Sequence, residues 1–229
     1  MRIAILETGA PPAALQPRFG RYGDMMEAML GATFEAERFD VRAGHYPDAG
    51  DADGYLISGS AAGVYDPDPW IGELKSWVAE MAGTAPMVGI CFGHQVMAEA
   101  FGGQVVKSPK GWGIGLHTYT LEPHPLAPPT RALTLPVSHQ DQVVTVGDGG
   151  EVIGGSEFCP NGVIAYPALR ALSLQPHPEF DPAFAEALIT ARRSGPLEPA
   201  QADAAIATLH APNDRQTAAT WLKRFLLER

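Results

Sequence analysis

The chain has 229 residues, 45% of them hydrophobic, enough to bury one sizeable core. A net charge of −10, with 16 Lys and Arg and no dense basic run, disfavours a polyanionic partner such as nucleic acid. Two cysteines are too few for a disulfide framework and fit a reducing compartment.

The N-terminus enters a strand pattern directly at residues 3–7, with no apolar leader or small-residue cleavage site. No later run approaches the length of a bilayer span, so a cytoplasmic chain is expected. Residues 19–30 follow as an amphipathic helix, with Phe19, Tyr22, Met26, Met29 and Leu30 at helical spacing. Residues 33–39 and 54–58 read as strands. Asp66-Pro67-Asp68-Pro69 then opens a helix over 70–81 that turns Trp70, Leu74, Trp77, Val78 and Met81 inward.

An apolar run, Ala85-Pro86-Met87-Val88-Gly89-Ile90, leads to Cys91, and a helix is predicted over 95–101. Residues 104–107 and several short segments up to Leu174 read as strands. The turn signals at 147–150 and 160–162 make this half antiparallel. Alternating strands and helices predict an α/β doubly wound sheet, parallel mainly in its first half. Residues 183–193, 199–209 and 215–227 form a helical tail, broken at Gly195-Pro196 and Pro212-Asn213-Asp214. Trp221, Leu222, Phe225 and Leu226 share one side of the last helix, a face for the sheet or for a partner. The expected organisation is one domain over 1–180 with an extension, 181–229, packed on it.

Two segments carry chemistry. Gly89-Ile90-Cys91-Phe92-Gly93 joins a strand to a helix through small residues, the pattern of a nucleophile elbow. A sulfur at a helix N-terminus faces unpaired amides and the positive end of the dipole, which favour its anion. Far downstream, Gln175-Pro176-His177-Pro178-Glu179-Phe180 ends a hydrophobic strand. Alternation along an extended chain would set His177 and Glu179 on one side. The imidazole can then exchange a proton with the thiol while the carboxylate orients the ring.

With these motifs the chain resembles the class I, triad-type glutamine amidotransferases, in particular a stand-alone branch. Gly89-Ile90-Cys91-Phe92-Gly93-His94-Gln95 is similar to the family's nucleophile motif at every position, and His177-Pro178-Glu179 to its His-Pro-Glu motif. The resemblance runs from about Ile3 to Phe180. It implies a flavodoxin-like mixed sheet and a triad of Cys91 as nucleophile, His177 as base and acid, and Glu179 as orienting carboxylate. It also nominates the amides of Gly59 and Phe92 as an oxyanion hole. Ser60-Ala61 departs from the family's Gly-Pro after Gly59, which puts that loop's geometry in question.

By the same resemblance Gln95, Ser138 and His139 bind substrate. Trp112, in Gly111-Trp112-Gly113-Ile114-Gly115, is a candidate pocket or partner contact, and Cys159 packs near the site as a structural thiol. No step needs a metal or an organic cofactor, and the scattered histidines show no ligand spacing. The expected reaction releases ammonia from glutamine, or a related γ-glutamyl amide, through a γ-glutamyl thioester. A separate synthase subunit is the implied partner for that ammonia. Two alternatives stay open: a γ-glutamyl peptidase using identical chemistry, and a non-catalytic binding or regulatory subunit on the same scaffold.

Overall fold

Residues 1–193 and 195–228 are described by a computed structural model. In chain order the elements are β1 (Arg2–Glu7), α1 (Gln16–Phe19), α2 (Tyr22–Leu30), β2 (Glu35–Asp40), β3 (Gly54–Ile57), α3 (Pro69–Met81), β4 (Met87–Ile90) and α4 (Phe92–Ala100). There follow β5 (Gln104–Lys107), β6 (Gly113–Leu121), β7 (Ala132–His139), β8 (Asp141–Thr145), β9 (Glu151–Gly155), β10 (Val163–Tyr166) and β11 (Ala171–Leu174). Helices α5 (Pro182–Arg192), α6 (Pro199–Thr208) and α7 (Arg215–Leu227) complete the chain.

Strands alternate their side chains between two faces, and both faces here are apolar. Ile3 and Ile5 of β1, Val88 and Ile90 of β4, and Leu172 and Leu174 of β11 share one core. Met26 and Leu30 of α2 cover it, together with Trp221, Leu222, Phe225 and Leu226 of α7. Ala4, Leu6, Tyr55, Ile57 and Met87 face the opposite way, onto Leu74 and Val78 of α3 and Val96 and Met97 of α4. Helices on both faces are what a buried parallel sheet requires. The large sheet has nine strands in the order β2-β1-β3-β4-β11-β10-β9-β6-β7. The run from β2 to β11 is parallel, and from β11 to β7 it is antiparallel. A small antiparallel pair, β5-β8, stands apart.

The expected fold class is therefore observed, with local differences. The helix read over 19–30 is two helices, because Gly20 takes φ 76 and breaks it. The strand read over 33–39 is shifted to Glu35–Asp40. The tail's apolar face covers the sheet, and Trp221 Nε1 donates to the Leu126 carbonyl at 2.7 Å. Among the described residues no helix is long and apolar enough to cross a membrane.

Register decides where chemistry can occur. Ile57 pairs with Gly89, and Leu174 with Ile90, so β3, β4 and β11 end together at one edge. The loops leaving those carboxyl ends carry Gly59, Cys91 and His177, where open α/β sheets bind ligands.

Candidate active site

Cys91 joins β4 to α4 with φ 54 and ψ −100, a conformation that costs an L-residue energy. Among the described residues Arg170 is the other non-glycine at positive φ. The surroundings hold the strained backbone. The Cys91 amide donates to Leu174 O of β11 at 2.8 Å, and the flanking glycines admit close approach. A Cβ on Gly89 would lie 2.5 Å from Gly93 O, and one on Gly93 would lie 2.5 Å from Ile57 O. Because the strain makes the turn so abrupt, α4 begins at Phe92, three residues earlier than the sequence pattern suggests. Gln95 is accordingly not the start of that helix but lies inside it. Cys91 is 5% exposed, and it lines a cavity of about 340 Å³.

The segment after β11 corrects a second expectation. It is a turn, not an extended chain, with the Phe180 amide reaching back to His177 O at 3.3 Å. Proline fixes φ between His177 and Glu179, and the turn folds the carboxylate onto the ring. His177 Nδ1–H donates to Glu179 Oε1 at 2.7 Å, with both side chains buried. This leaves Nε2 as the nitrogen available to sulfur. Burial alone would push His177 down. The Glu179 carboxylate and the nearby Cys91 sulfur outweigh it and raise the imidazole above its ordinary value. A Cβ on Gly59 would lie 3.1 Å from His177 Cε1 and 3.7 Å from Cys91 Cβ. Ring and sulfur thus flank one glycine.

Three supports of this turn escaped the sequence reading. Phe180 stacks on His177 with ring centroids 3.8 Å apart and planes 8° from parallel. Phe180 is itself held by Tyr22 and Phe184. At the start of α7, Arg215 Nε donates to Pro178 O at 3.1 Å, fixing the peptide between the two motif residues. Phe180 adjoins Glu179 in sequence and could have been suspected, whereas nothing local points to Tyr22 or Arg215.

The loop after β3 is fixed by side chains. Thr8 Oγ1 lies 3.0 Å from Ser58 O and 2.9 Å from Gly59 O, and the Gly93 amide donates to Ser58 O at 3.2 Å. A trans peptide with its carbonyl held toward α4 turns the Gly59 N–H the other way. Ser60, the departure from the family pattern, accepts from the Ala62 amide at 3.2 Å and donates to Thr8 O at 2.9 Å. Its hydroxyl gives this loop a hydrogen-bonded brace. The Phe92 amide is the first of α4 and follows Cys91 directly.

Across the cavity, Gln95 donates both amide hydrogens to the chain, to Asp141 O at 3.0 Å and Gln175 Oε1 at 3.1 Å. Its Oε1 accepts no hydrogen bond from the described residues. Ser138 and His139 also line the space, as do Trp112 and Arg192. His139 Nδ1–H donates to Asp141 O at 3.1 Å. Burial pushes this imidazole down to about 3, so it stays neutral. Cys159 is a free, buried thiol packed with Tyr119 and Val137. Burial pushes it up to about 12. Among the described residues no group of three or more His, Cys, Asp or Glu could hold a metal ion.

An α/β sheet with a strained cysteine elbow, and a histidine–carboxylate pair at the end of the neighbouring strand, is the architecture of the glutamine amidotransferase class of folds. The glutamine amidotransferase class I family profile matches residues 28–192, and the chain belongs to that family. A glutamine amidotransferase-like protein of Schizosaccharomyces pombe is 28% identical, covering 99% of this chain and 98% of its own length. Gamma-glutamyl peptidase 5 of Arabidopsis thaliana is also 28% identical, over 79% of this chain and 76% of its own. A GMP synthase [glutamine-hydrolyzing] of Porphyromonas gingivalis is 30% identical over 56% of this chain, but only 25% of its own length. The fold is similar to a glutamine amidotransferase from Thermotoga maritima, with TM-score 0.79 at 16% identity, covering 99% of this chain and 98% of that one.

Proposed function

We propose that this chain hydrolyses γ-glutamyl amide bonds with Cys91, His177 and Glu179. The observation that carries the reading is the strained Cys91 backbone beside a buried imidazole that Glu179 holds at 2.7 Å. The Cys91 thiolate attacks the γ-carbonyl carbon, and the amides of Gly59 and Phe92 take the developing oxyanion. Imidazolium at His177 gives its Nε2 proton to the leaving nitrogen, and the C–N bond breaks to leave a γ-glutamyl thioester. His177 then takes a proton from water, whose oxygen attacks the thioester. Glutamate departs and the thiolate is restored. Gln95 Oε1 and the Ser138–His139 wall hold the amino-acid end of the substrate.

A second reading, peptidase action on γ-glutamyl peptides or conjugates, draws on the cavity of about 340 Å³ at Cys91. That volume sits within the usual range of ligand pockets, roughly 300–1,000 Å³, and leaves room beyond a small amide. The kinship with a plant gamma-glutamyl peptidase over 79% of this chain points the same way. Glutamate release from glutamine and from γ-glutamyl dipeptides, in separate incubations, tests both. The Cys91→Ala chain should lose all turnover while Cys159→Ala keeps most of it. Equal activity in Cys91→Ala and the unaltered chain would remove the nucleophile assignment. Turnover of dipeptides alone selects the peptidase, and turnover of glutamine alone selects an ammonia-releasing amidotransferase.

A further inference from the structure

We infer that Arg192, the last residue of α5, reads a carboxylate of the substrate inside the Cys91 cavity. This deepens the proposed function by naming a specificity residue outside the triad and its immediate motifs.

Arg192 lines the same cavity as Cys91 although it lies in the helix that follows the His-Pro-Glu turn. Its position is fixed from two sides. Nη1 donates to Ser138 Oγ at 2.6 Å, and the guanidinium lies over the Trp112 ring, 5.2 Å from its centroid. Trp112 is held in turn through its carbonyl, which accepts from Gln201 Nε2 of α6 at 3.3 Å. A guanidinium carries five N–H donors in a planar fork suited to a carboxylate. A hydroxyl and an aromatic face orient that fork without neutralising it.

Among the described residues no carboxylate lies within ion-pair distance of Arg192. Its neighbour Arg193 points away from the cavity lining and pairs with Asp203 of α6. The lining does include two acids, and both are engaged. Asp141 accepts from the Tyr65 hydroxyl at 3.1 Å, and Asp66 from the Gly63 amide at 2.8 Å. Lys107 also borders the cavity but is exposed. The cavity thus offers both signs, as an amino acid carrying ammonium and carboxylate requires, and Arg192 is its oriented cation.

Two carboxylates of a γ-glutamyl compound could fill this role: the α-carboxylate of the glutamyl unit, or that of an amino acid in the leaving group. Glutamine, γ-glutamylglycine and γ-glutamylglycinamide separate them, because only the dipeptide carries the second carboxylate. Titration calorimetry of each compound into the Cys91→Ala chain reads binding without turnover. Adding Arg192→Met, which keeps the stem, should weaken affinity about 10- to 100-fold, the worth of a hydrogen bond to a charged group. Arg192→Lys should restore part of it, and matching thermal melts show that the fold is kept.

Equal weakening for all three compounds assigns the α-carboxylate, and weakening confined to the dipeptide assigns the leaving group. Affinities within about twofold across the variants, or no binding to any chain, overturn the inference. Steady-state kinetics of the Cys91-containing chain separates this result from the hydrolase reading. Turnover with a KM indifferent to Arg192→Met sinks the inference alone. Arg192-dependent binding with no turnover of any compound sinks the hydrolase alone.

Discussion

Two imidazoles border the Cys91 site, and their environments drive them to opposite charge states. His139 is almost fully buried and hydrogen-bonds only a backbone carbonyl among the described residues, so burial decides and the ring stays neutral. His177 is equally buried, yet a carboxylate sits 2.7 Å from its Nδ1 and a sulfur stands on its other side. Desolvation penalises both cations alike, and only the charged neighbour distinguishes them. A carbonyl dipole is too weak to reverse that penalty, whereas a full negative charge in the same low-dielectric setting does so. The charge state of His177 is thus set by Glu179 as much as by the histidine itself.

Replacing that carboxylate is the largest test. Glu179→Gln keeps size and can still accept the Nδ1 hydrogen, but removes the charge. His177 should then behave like His139 and become neutral. Turnover of a γ-glutamyl substrate should fall about a thousandfold or more, as expected when the residue behind a catalytic imidazole loses its charge. NMR titration of the His177 ring checks the cause. A ring still protonated well above neutrality in Glu179→Gln would mean that Cys91 alone sustains the charge.

Phe180→Leu probes a smaller contribution. An aromatic face stacked 3.8 Å from the imidazole attracts its cationic form through the ring quadrupole. Loss of a contact worth about 1 kcal/mol should lower kcat several-fold and shift the kcat–pH profile toward acid, with KM nearly unchanged. Phe180→Tyr should recover both. A rise in KM with an unmoved pH profile would reduce Phe180 to a packing role.

The motifs around Cys91 and His177 were readable because each is a short, local instruction. The glycine at 89 is dictated by a backbone contact with Gly93 inside the same strand–turn–helix unit, so spacing along the chain reveals it, whereas Gly93 is dictated by Ile57 O of β3. The strand–helix alternation exposed the parallel half of the sheet for the same reason, since each period is local. The His-Pro-Glu segment was misread as extended because its turn is fixed by distant groups: Arg215 holds its peptide, and Phe180 reaches Tyr22. Arg192 was invisible as a cavity residue. Its orientation depends on Ser138, 54 residues away, and on a Trp112 held from α6.

The last prediction extends the comparison to stability. His94, wholly buried beneath the elbow, lies 2.9 Å from Ser173 Oγ through Nδ1, and burial pushes it down to about 3. Because His94 and His139 are depressed in the fold, the unfolded chain binds more protons below the ordinary histidine value near 6.5. Their contribution to stability is present above that value and is lost as pH falls toward about 3. For His177 the sign reverses. The raised folded-state value gives stability that is complete below about 6.5 and is lost as pH rises toward about 10. Urea midpoints measured from pH 4 to pH 10 should therefore decline on both sides of a maximum near neutrality. His94→Gln, although less stable at neutral pH, should decline less steeply on the acid side, by up to about 1.4 kcal/mol per pH unit for one proton. His177→Gln should instead flatten the alkaline side. Curves for His94→Gln that run parallel to the unaltered chain would show that this ring does not stay neutral in the fold, and that burial does not set the contrast with His177.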